Sequence, residues 1–241
     1  MNRREYSSEA FYLQWVFWYS IANLFGVLLF FVLDIYRPVI GINILAITIY
    51  FHETRKRLHN YPWVIGYPNW ITLFRLSCIA ILGILLPMLS PHLAFFAFAL
   101  IILIDGLDGL IARKFKQITM VGSRLDGETD AFMVLLLTVY HIKTGKIPEW
   151  IILPGMMRHI FGILSYFFKT PKEYTPRRVR AMIAVIFFGT LLFAFILNDY
   201  WAEVTNAIAG TLILTSFGVS LLLMIKQKIR GPKRRKHKNQ T

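Results

Sequence analysis

Eight stretches of this chain, at roughly 11–33, 38–53, 70–89, 92–113, 124–143, 148–168, 180–198 and 203–226, are predominantly apolar. A helix needs about 20 such residues to cross a bilayer, and most of the eight approach that length. A backbone in lipid must satisfy its own hydrogen bonds, so apolar runs of this length become helices. The second stretch is short and weak, and the fourth and fifth carry acids. The predicted fold class is therefore all-α: a polytopic membrane helical bundle of about eight transmembrane helices. Composition agrees. Charged residues make up 17% of the chain, against about 25% in soluble domains, and the mean hydropathy is +0.53. So much apolar surface excludes disorder for most of the chain. A lone Cys78 excludes an intramolecular disulfide framework and a Cys-rich zinc site. Arg3 and Arg4 precede an apolar run too long for a cleavable leader, and no small-residue cleavage site follows it.

The basic residues set the expected orientation. With the N-terminus in the cytoplasm, inside segments hold Arg3–Arg4, Arg55–Arg57, Arg113–Lys116, Lys169–Arg180 and the tail Lys226–Lys238. They account for 21 of the 27 Lys and Arg, whereas the outside loops hold only Arg37, Lys143 and Lys146. Both termini are thus expected inside. The net charge of +14 reads as topology and attraction to anionic lipid. No nucleic-acid partner is expected, because the basic tail has no interleaved aromatics and no fold around it. Segment 53–68 mixes basic and aromatic residues, with Tyr61, Trp63 and Tyr67 suited to headgroup level.

Four of the six Asp fall within 26 residues: Asp105, Asp108, Asp126 and Asp130. The other two, Asp34 and Asp199, sit at predicted external helix ends, where solvation accounts for them. An Asp at the centre of a membrane helix costs about 2.5–3.5 kcal/mol, and less near the interface. Such residues persist when they face a hydrated cavity and bind something positive. Asp105 and Asp108 are spaced i,i+3, and Asp126 and Asp130 i,i+4, so each pair shares a helix face. A short connection lets the two faces meet. Four converging carboxylates with no matching Lys call for divalent cations, and oxygen-only ligands point to Mg²⁺ or Mn²⁺, or to Ca²⁺, and away from zinc. Gly109 and Ala112 lie on the acidic face, where missing side chains leave a groove for a ligand. Gly106 reads as close helix packing. Arg113 closes the helix, either as an interface anchor or as a donor to phosphate oxygens.

Residues 105–130 read DGLDGLIARKFKQITMVGSRLDGETD. They match the signature D-x2-D-G-x2-A-R-x8-G-x3-D-x3-D through Asp105, Asp108, Gly109, Ala112, Arg113, Gly122, Asp126 and Asp130, and so resemble the CDP-alcohol phosphotransferase family. The stretch PNWITLFR, from Pro68 to Arg75, resembles that family's entry to its first core helix. The resemblance implies a six-helix core over 68–226, preceded by two N-terminal transmembrane helices and an interfacial segment over 1–67, and followed by a basic cytoplasmic tail over 227–241. It implies transfer of a substituted phosphate from a CDP-linked donor, usually CDP-diacylglycerol, to an alcohol acceptor with release of CMP. By the same resemblance, Asp105, Asp108 and Asp126 bind metal with Asp130 completing the site, and Asp130 is also the general base. Gly109 and Arg113 fall at donor contacts, and Ala112 lies beside them in the motif. Asn69, Thr72 and Thr119 correspond to further donor contacts in the phosphatidylinositol-phosphate synthase branch. A homodimer embedded in membrane lipid, with its active site at the cytoplasmic face of the inner or cell membrane, is implied too.

The acceptor is less legible. Arg158 and His159 lie well inside the sixth stretch. An Arg there is a functional-site candidate, either for substrate or as an ion pair with the acidic site. His159 reads as a packing residue. Arg124, Arg177, Arg178 and Arg180 suit an anionic acceptor such as glycerol 3-phosphate or inositol phosphate. Glu128, between two of the acids, is expected at the rim of the site. The alternative function is a cation-coupled transporter using the Asp cluster. It predicts acids near mid-membrane and repeat symmetry, and the sequence has neither. An aspartyl protease does not account for four Asp, the acid-rich pattern of prenyl-transfer enzymes is missing, and a non-catalytic scaffold leaves the acids unexplained.

Overall fold

The computed structural model describes residues 3–57, 67–114, 120–168 and 177–230, with side chains described at 10–56, 69–104, 121–167, 179–223 and 226. Every regular element among them is helical: α1 (Arg3–Leu33), α2 (Arg37–Arg57), α3 (Tyr67–Leu85), α4 (Pro91–Lys114), α5 (Met120–Lys143), α6 (Ile152–Gly155), α7 (Met157–Phe168), α8 (Arg177–Phe193) and α9 (Asp199–Arg230), with short 3-10 turns at Leu86–Met88 and Glu149–Ile151. A helix or helix pair stands at each of the eight apolar stretches. Among the described residues, three helices are long and apolar enough to cross a membrane by themselves, over Ala10–Leu33, Asn69–Met88 and Asp199–Leu223. The sixth stretch is not one helix: Glu149–Gly155 and Met157–Phe167 meet at 48°, together making a fourth candidate span. Pro154 and Gly155 mark the bend, as expected of a residue without an N–H and one without a side chain.

The bundle carries large apolar side chains on its outside and several polar ones within its apolar core. Trp18, Phe25, Val32, Phe96, Leu103, Val185 and Leu222 are exposed, while Asn23, Asn43, Arg75, Glu128, His141, His159 and Asn206 are buried. In lipid this arrangement is stable, because the outside needs no polar surface and buried polar groups can pair with one another. α5 lies at the centre, touching α2, α3, α6 and α8, and Leu125, Phe132, Leu135, Leu136, Leu137 and Val139 along it are fully buried. α3 packs against both α4 and α5, and α8 packs along α9.

The two N-terminal helices are tied to each other and to the rest. Asn43 donates to Asn23 Oδ1 at 2.7 Å, and the Tyr19 hydroxyl donates to Asn43 Oδ1. The turn between them passes through Asp34 at φ 53, a left-handed conformation that Asp tolerates better than most residues. Lys143 Nζ holds that turn through the Asp34 carboxylate at 2.6 Å and its carbonyl at 2.5 Å. Lys146 Nζ binds Asp199 Oδ1 at 2.6 Å. Solvation alone was expected to account for Asp34 and Asp199. Both are instead paired, each with a lysine near the end of α5, although pairs this exposed contribute only about 0–1 kcal/mol each.

α1 packs along α7. Phe17 stacks on Tyr166 with ring centroids 4.4 Å apart. Gly162 permits this approach: a Cβ there would lie 2.6 Å from Val16 Cγ1 and 2.7 Å from Ser20 Oγ. Gly162→Leu is therefore expected to push α1 off α7 and to destabilise the protein by about 1–3 kcal/mol, read as a lower midpoint of thermal unfolding in detergent micelles.

Candidate active site

α5 carries the site. It begins with the polar run VGSRLDGETD, in which Asp126 and Asp130 lie one turn apart. From α3, Arg75 reaches both: its Nη2 lies 2.6 Å from Asp130 Oδ1 and 3.0 Å from Asp126 Oδ1. Arg75 is 1% exposed, whereas the two carboxylates are 41% and 49% exposed. The geometry is asymmetric, with the cation sealed in the bundle and the acids open on the other side. The sequence pattern offers the acids no matching lysine; the matching cation is this arginine, to which that pattern assigns no role of its own. Its signal was available: a cation in an apolar span, three residues after Thr72 and six after Asn69. Asn69, Thr72 and Arg75 are all buried, and their spacing puts them along one face of α3.

Asp126 and Asp130 offer oxygen donors only, the ligand chemistry of a hard divalent cation. Among the described residues no group of three metal-ligating side chains comes together. The side chains of Asp105, Asp108, Gly109, Ala112 and Arg113, on the last turns of α4, lie outside the described residues, as does Thr119. What is described fits half of a four-carboxylate cation site, with Arg75 behind it.

Glu128 is not at the rim. Its side chain is 3% exposed and lies on the opposite side of α5 from the cation site. Arg158 Nη2 meets its Oε1 at 2.7 Å, and the Tyr12 hydroxyl of α1 donates to the same oxygen at 2.8 Å. A charge among apolar helices is stable only with such partners, which is why Glu128 turns inward. Arg158 pairs with the acidic helix as one expectation had it, but its partner is Glu128 and not one of the four Asp. Its guanidinium lies against Gly127, where a Cβ would come within 3.1 Å of Nη2. The bend after α6 starts the helix that aims it there. Arg124 stands over the Tyr12 ring, 4.1 Å from its centroid. Nothing in the sequence singles out Tyr12 or pairs it with Glu128, because the pairing joins helices more than a hundred residues apart. His159 is buried and packs edge-on against Tyr19.

A cavity of about 340 Å³ opens beside these groups, between α5, the bent α6–α7 pair, α8 and α9. Asp130 lies on one wall, Arg158 and Arg180 on others, and Phe187, Ile213 and Phe217 complete it. It lies near the bottom of the range of about 300–1,000 Å³ for small-molecule sites. Arg158, 45% exposed, keeps part of its guanidinium open while Glu128 holds the rest. The side chains of Arg177 and Arg178 lie outside the described residues.

Comparisons with known proteins identify the family to which the chain is similar. The family model described as CDP-alcohol phosphatidyltransferase matches residues 65–225. A CDP-diacylglycerol–glycerol-3-phosphate 3-phosphatidyltransferase of Yersinia enterocolitica is 34% identical over 96 residues, covering 36% of this chain and 50% of that protein. Its counterpart in Sodalis glossinidius is 36% identical over 94 residues, with the same coverage. Human cardiolipin synthase (CMP-forming) is 31% identical over 122 residues, covering 50% of this chain and 40% of the relative. The chain thus spans about half the length, or less, of the curated relatives it matches. No solved structure matches it.

Arg75→Met should leave two carboxylates facing each other across one turn. The expected result is a stability loss of about 1–3 kcal/mol and at least a tenfold loss of turnover, measured by thermal unfolding and product formation on the same preparation.

Proposed function

Because the chain belongs to the CDP-alcohol phosphatidyltransferase family, we propose that it moves a phosphatidyl group from CDP-diacylglycerol to a small phosphorylated alcohol, with glycerol 3-phosphate the leading candidate, and releases CMP. The observation that carries this reading is the cavity that joins Asp130 to Arg158 and Arg180. A carboxylate at one wall suits a hydroxyl about to lose its proton, and two guanidinium groups suit a phosphate. The printed activity of the Yersinia and Sodalis relatives supports the same donor and acceptor. The modest volume supports a small acceptor over a lipid one.

Family members generally use divalent metal ions. Here Asp105, Asp108, Asp126 and Asp130 would hold them, with Mg²⁺ the favoured ion and Mn²⁺ its substitute. When bound, such ions neutralise the pyrophosphate and stabilise the entering and leaving oxygens. The protein's own groups supply the rest. Arg158 and Arg180 hold the acceptor's phosphate, so that its free hydroxyl lies toward Asp130. Asp130 takes the hydroxyl proton as the oxygen attacks the lipid-bearing phosphorus in line. The new P–O bond forms as the bond to CMP breaks, and CMP leaves with that electron pair. Arg75 fixes Asp126 and Asp130 from behind. Asn69, Thr72, Gly109, Ala112, Arg113 and Thr119 are proposed donor contacts.

The excess of basic residues at one side supports a site at the cytoplasmic face of the membrane. The pairing of Lys143 and Lys146 at the other end of α5 is compatible with it. A homodimer remains part of this reading on the resemblance alone. Family membership accounts for the acids without a cation pathway, and the transporter alternative has no support of its own.

Purified protein with Mg²⁺ and CDP-diacylglycerol should release CMP with glycerol 3-phosphate and not with phosphatidylglycerol; the reverse preference overturns the acceptor assignment. Asp130→Asn should lose about 100-fold or more in kcat while retaining donor binding, and robust turnover by that variant removes Asp130 as the base. Arg180→Ala should raise the KM for the acceptor about tenfold with little change in the KM for the donor.

A further inference from the structure

The family-matched region begins at residue 65, yet a side chain from outside it reaches Glu128 of α5. Tyr12 of α1 donates its hydroxyl to Glu128 Oε1 at 2.8 Å, the oxygen that also receives Arg158 Nη2 at 2.7 Å. The same tyrosine ring carries the Arg124 guanidinium on its face. Tyr12 is itself set by an aromatic group: it stacks on Trp15 and meets Tyr50 edge-on, and Trp15 Nε1 donates to the Ala46 carbonyl of α2 at 3.2 Å. α1 supplies this tyrosine, and α2 packs against its ring and against Trp15 beside it.

We propose that Tyr12 is a positioning residue for the acceptor: through Glu128 it fixes how Arg158 presents its guanidinium to the cavity. The inference rests on the acceptor reading above. Arg158 has two demands on it. Glu128 draws one edge of its guanidinium into the bundle, and the anionic acceptor needs the part that is open to the cavity. Three donor contacts reach the Glu128 carboxylate, two from Arg158 and one from Tyr12. Without the tyrosine hydroxyl, the buried carboxylate must take more from Arg158, which is its one remaining described donor. The guanidinium then turns toward Glu128 and away from the substrate. The two N-terminal helices thus become part of substrate recognition, not only an anchor in the bilayer.

The test uses the full-length protein in detergent–lipid micelles, with CDP-diacylglycerol and glycerol 3-phosphate as substrates and CMP release as the readout. Tyr12→Phe is expected to raise the KM for glycerol 3-phosphate about 5- to 10-fold, with kcat and the KM for the donor within about twofold of wild type. KM does not depend on the fraction of folded enzyme, so partial unfolding does not imitate this result. Tyr12→Phe in a Glu128→Ala background should add less than twofold, because the route through Glu128 is already cut. Tyr36→Phe removes another buried hydroxyl, one that donates to the Gly83 carbonyl at 2.9 Å away from Glu128, and should leave the acceptor KM unchanged. An unchanged acceptor KM in Tyr12→Phe, or a fall in kcat with both KM values constant, overturns the inference while wild-type turnover upholds the acceptor reading. No transfer to glycerol 3-phosphate by the wild-type protein overturns that reading and the inference with it.

Discussion

Arg75 is sealed inside the bundle and lies 2.6 Å from Asp130 and 3.0 Å from Asp126. A guanidinium in an apolar interior is strongly unfavourable unless a carboxylate meets it, and two carboxylates one turn apart repel each other unless a cation lies beside them. This mutual requirement fixes α3 against α5. It also sets the direction in which the two acids point, because Arg75 holds them from the bundle side and leaves them open on the other. A second pairing, Glu128 with Arg158, does the same for α7. Between them the two ion pairs orient the functional groups of α5 on two of its faces.

The consequence for packing is a central helix with two characters. Its first turns are polar and crowded with charge. The stretch from Phe132 to Val139 is apolar except for Thr138, and all of it but Val134 is buried. The apolar part is tightly fitted to its neighbours: Gly83 of α3 and Gly155 beside the bend both pack against it, at Leu136 and Thr138. Firm support in one half lets the other half carry partly exposed charges. The partly open carboxylates and the half-exposed Arg158 are tolerated because the scaffold beneath them does not depend on their burial.

Much of the fold was legible in the sequence, since helices are the natural response of apolar runs to lipid. The positions of the eight stretches correspond to helices within a few residues at most ends. The break in the sixth was missed: Pro154 and Gly155 were there to be read, but the run stays apolar through them and hydropathy does not register a bend. The acidic motif was legible because its spacing is local. Contacts across helices were not. The sequence does not say which distant helix supplies a counter-charge, so it neither joins Arg75 to Asp126 and Asp130 nor turns Glu128 inward from the rim. A rule that every charge in an apolar span needs a partner would have flagged both, without identifying Arg158 or Tyr12.

Gly127 shows how finely this arrangement is balanced. Its missing side chain is the seat on which the Arg158 guanidinium rests, and an added methyl would sit 3.1 Å from Nη2. The obstacle it would meet is the far end of a flexible side chain and not backbone, so the helix need not move. The guanidinium would yield by a few tenths of an ångström instead. This one position is thus a tuning screw: the smallest change available to a glycine would leave the architecture standing and shift only where the Arg158 guanidinium rests.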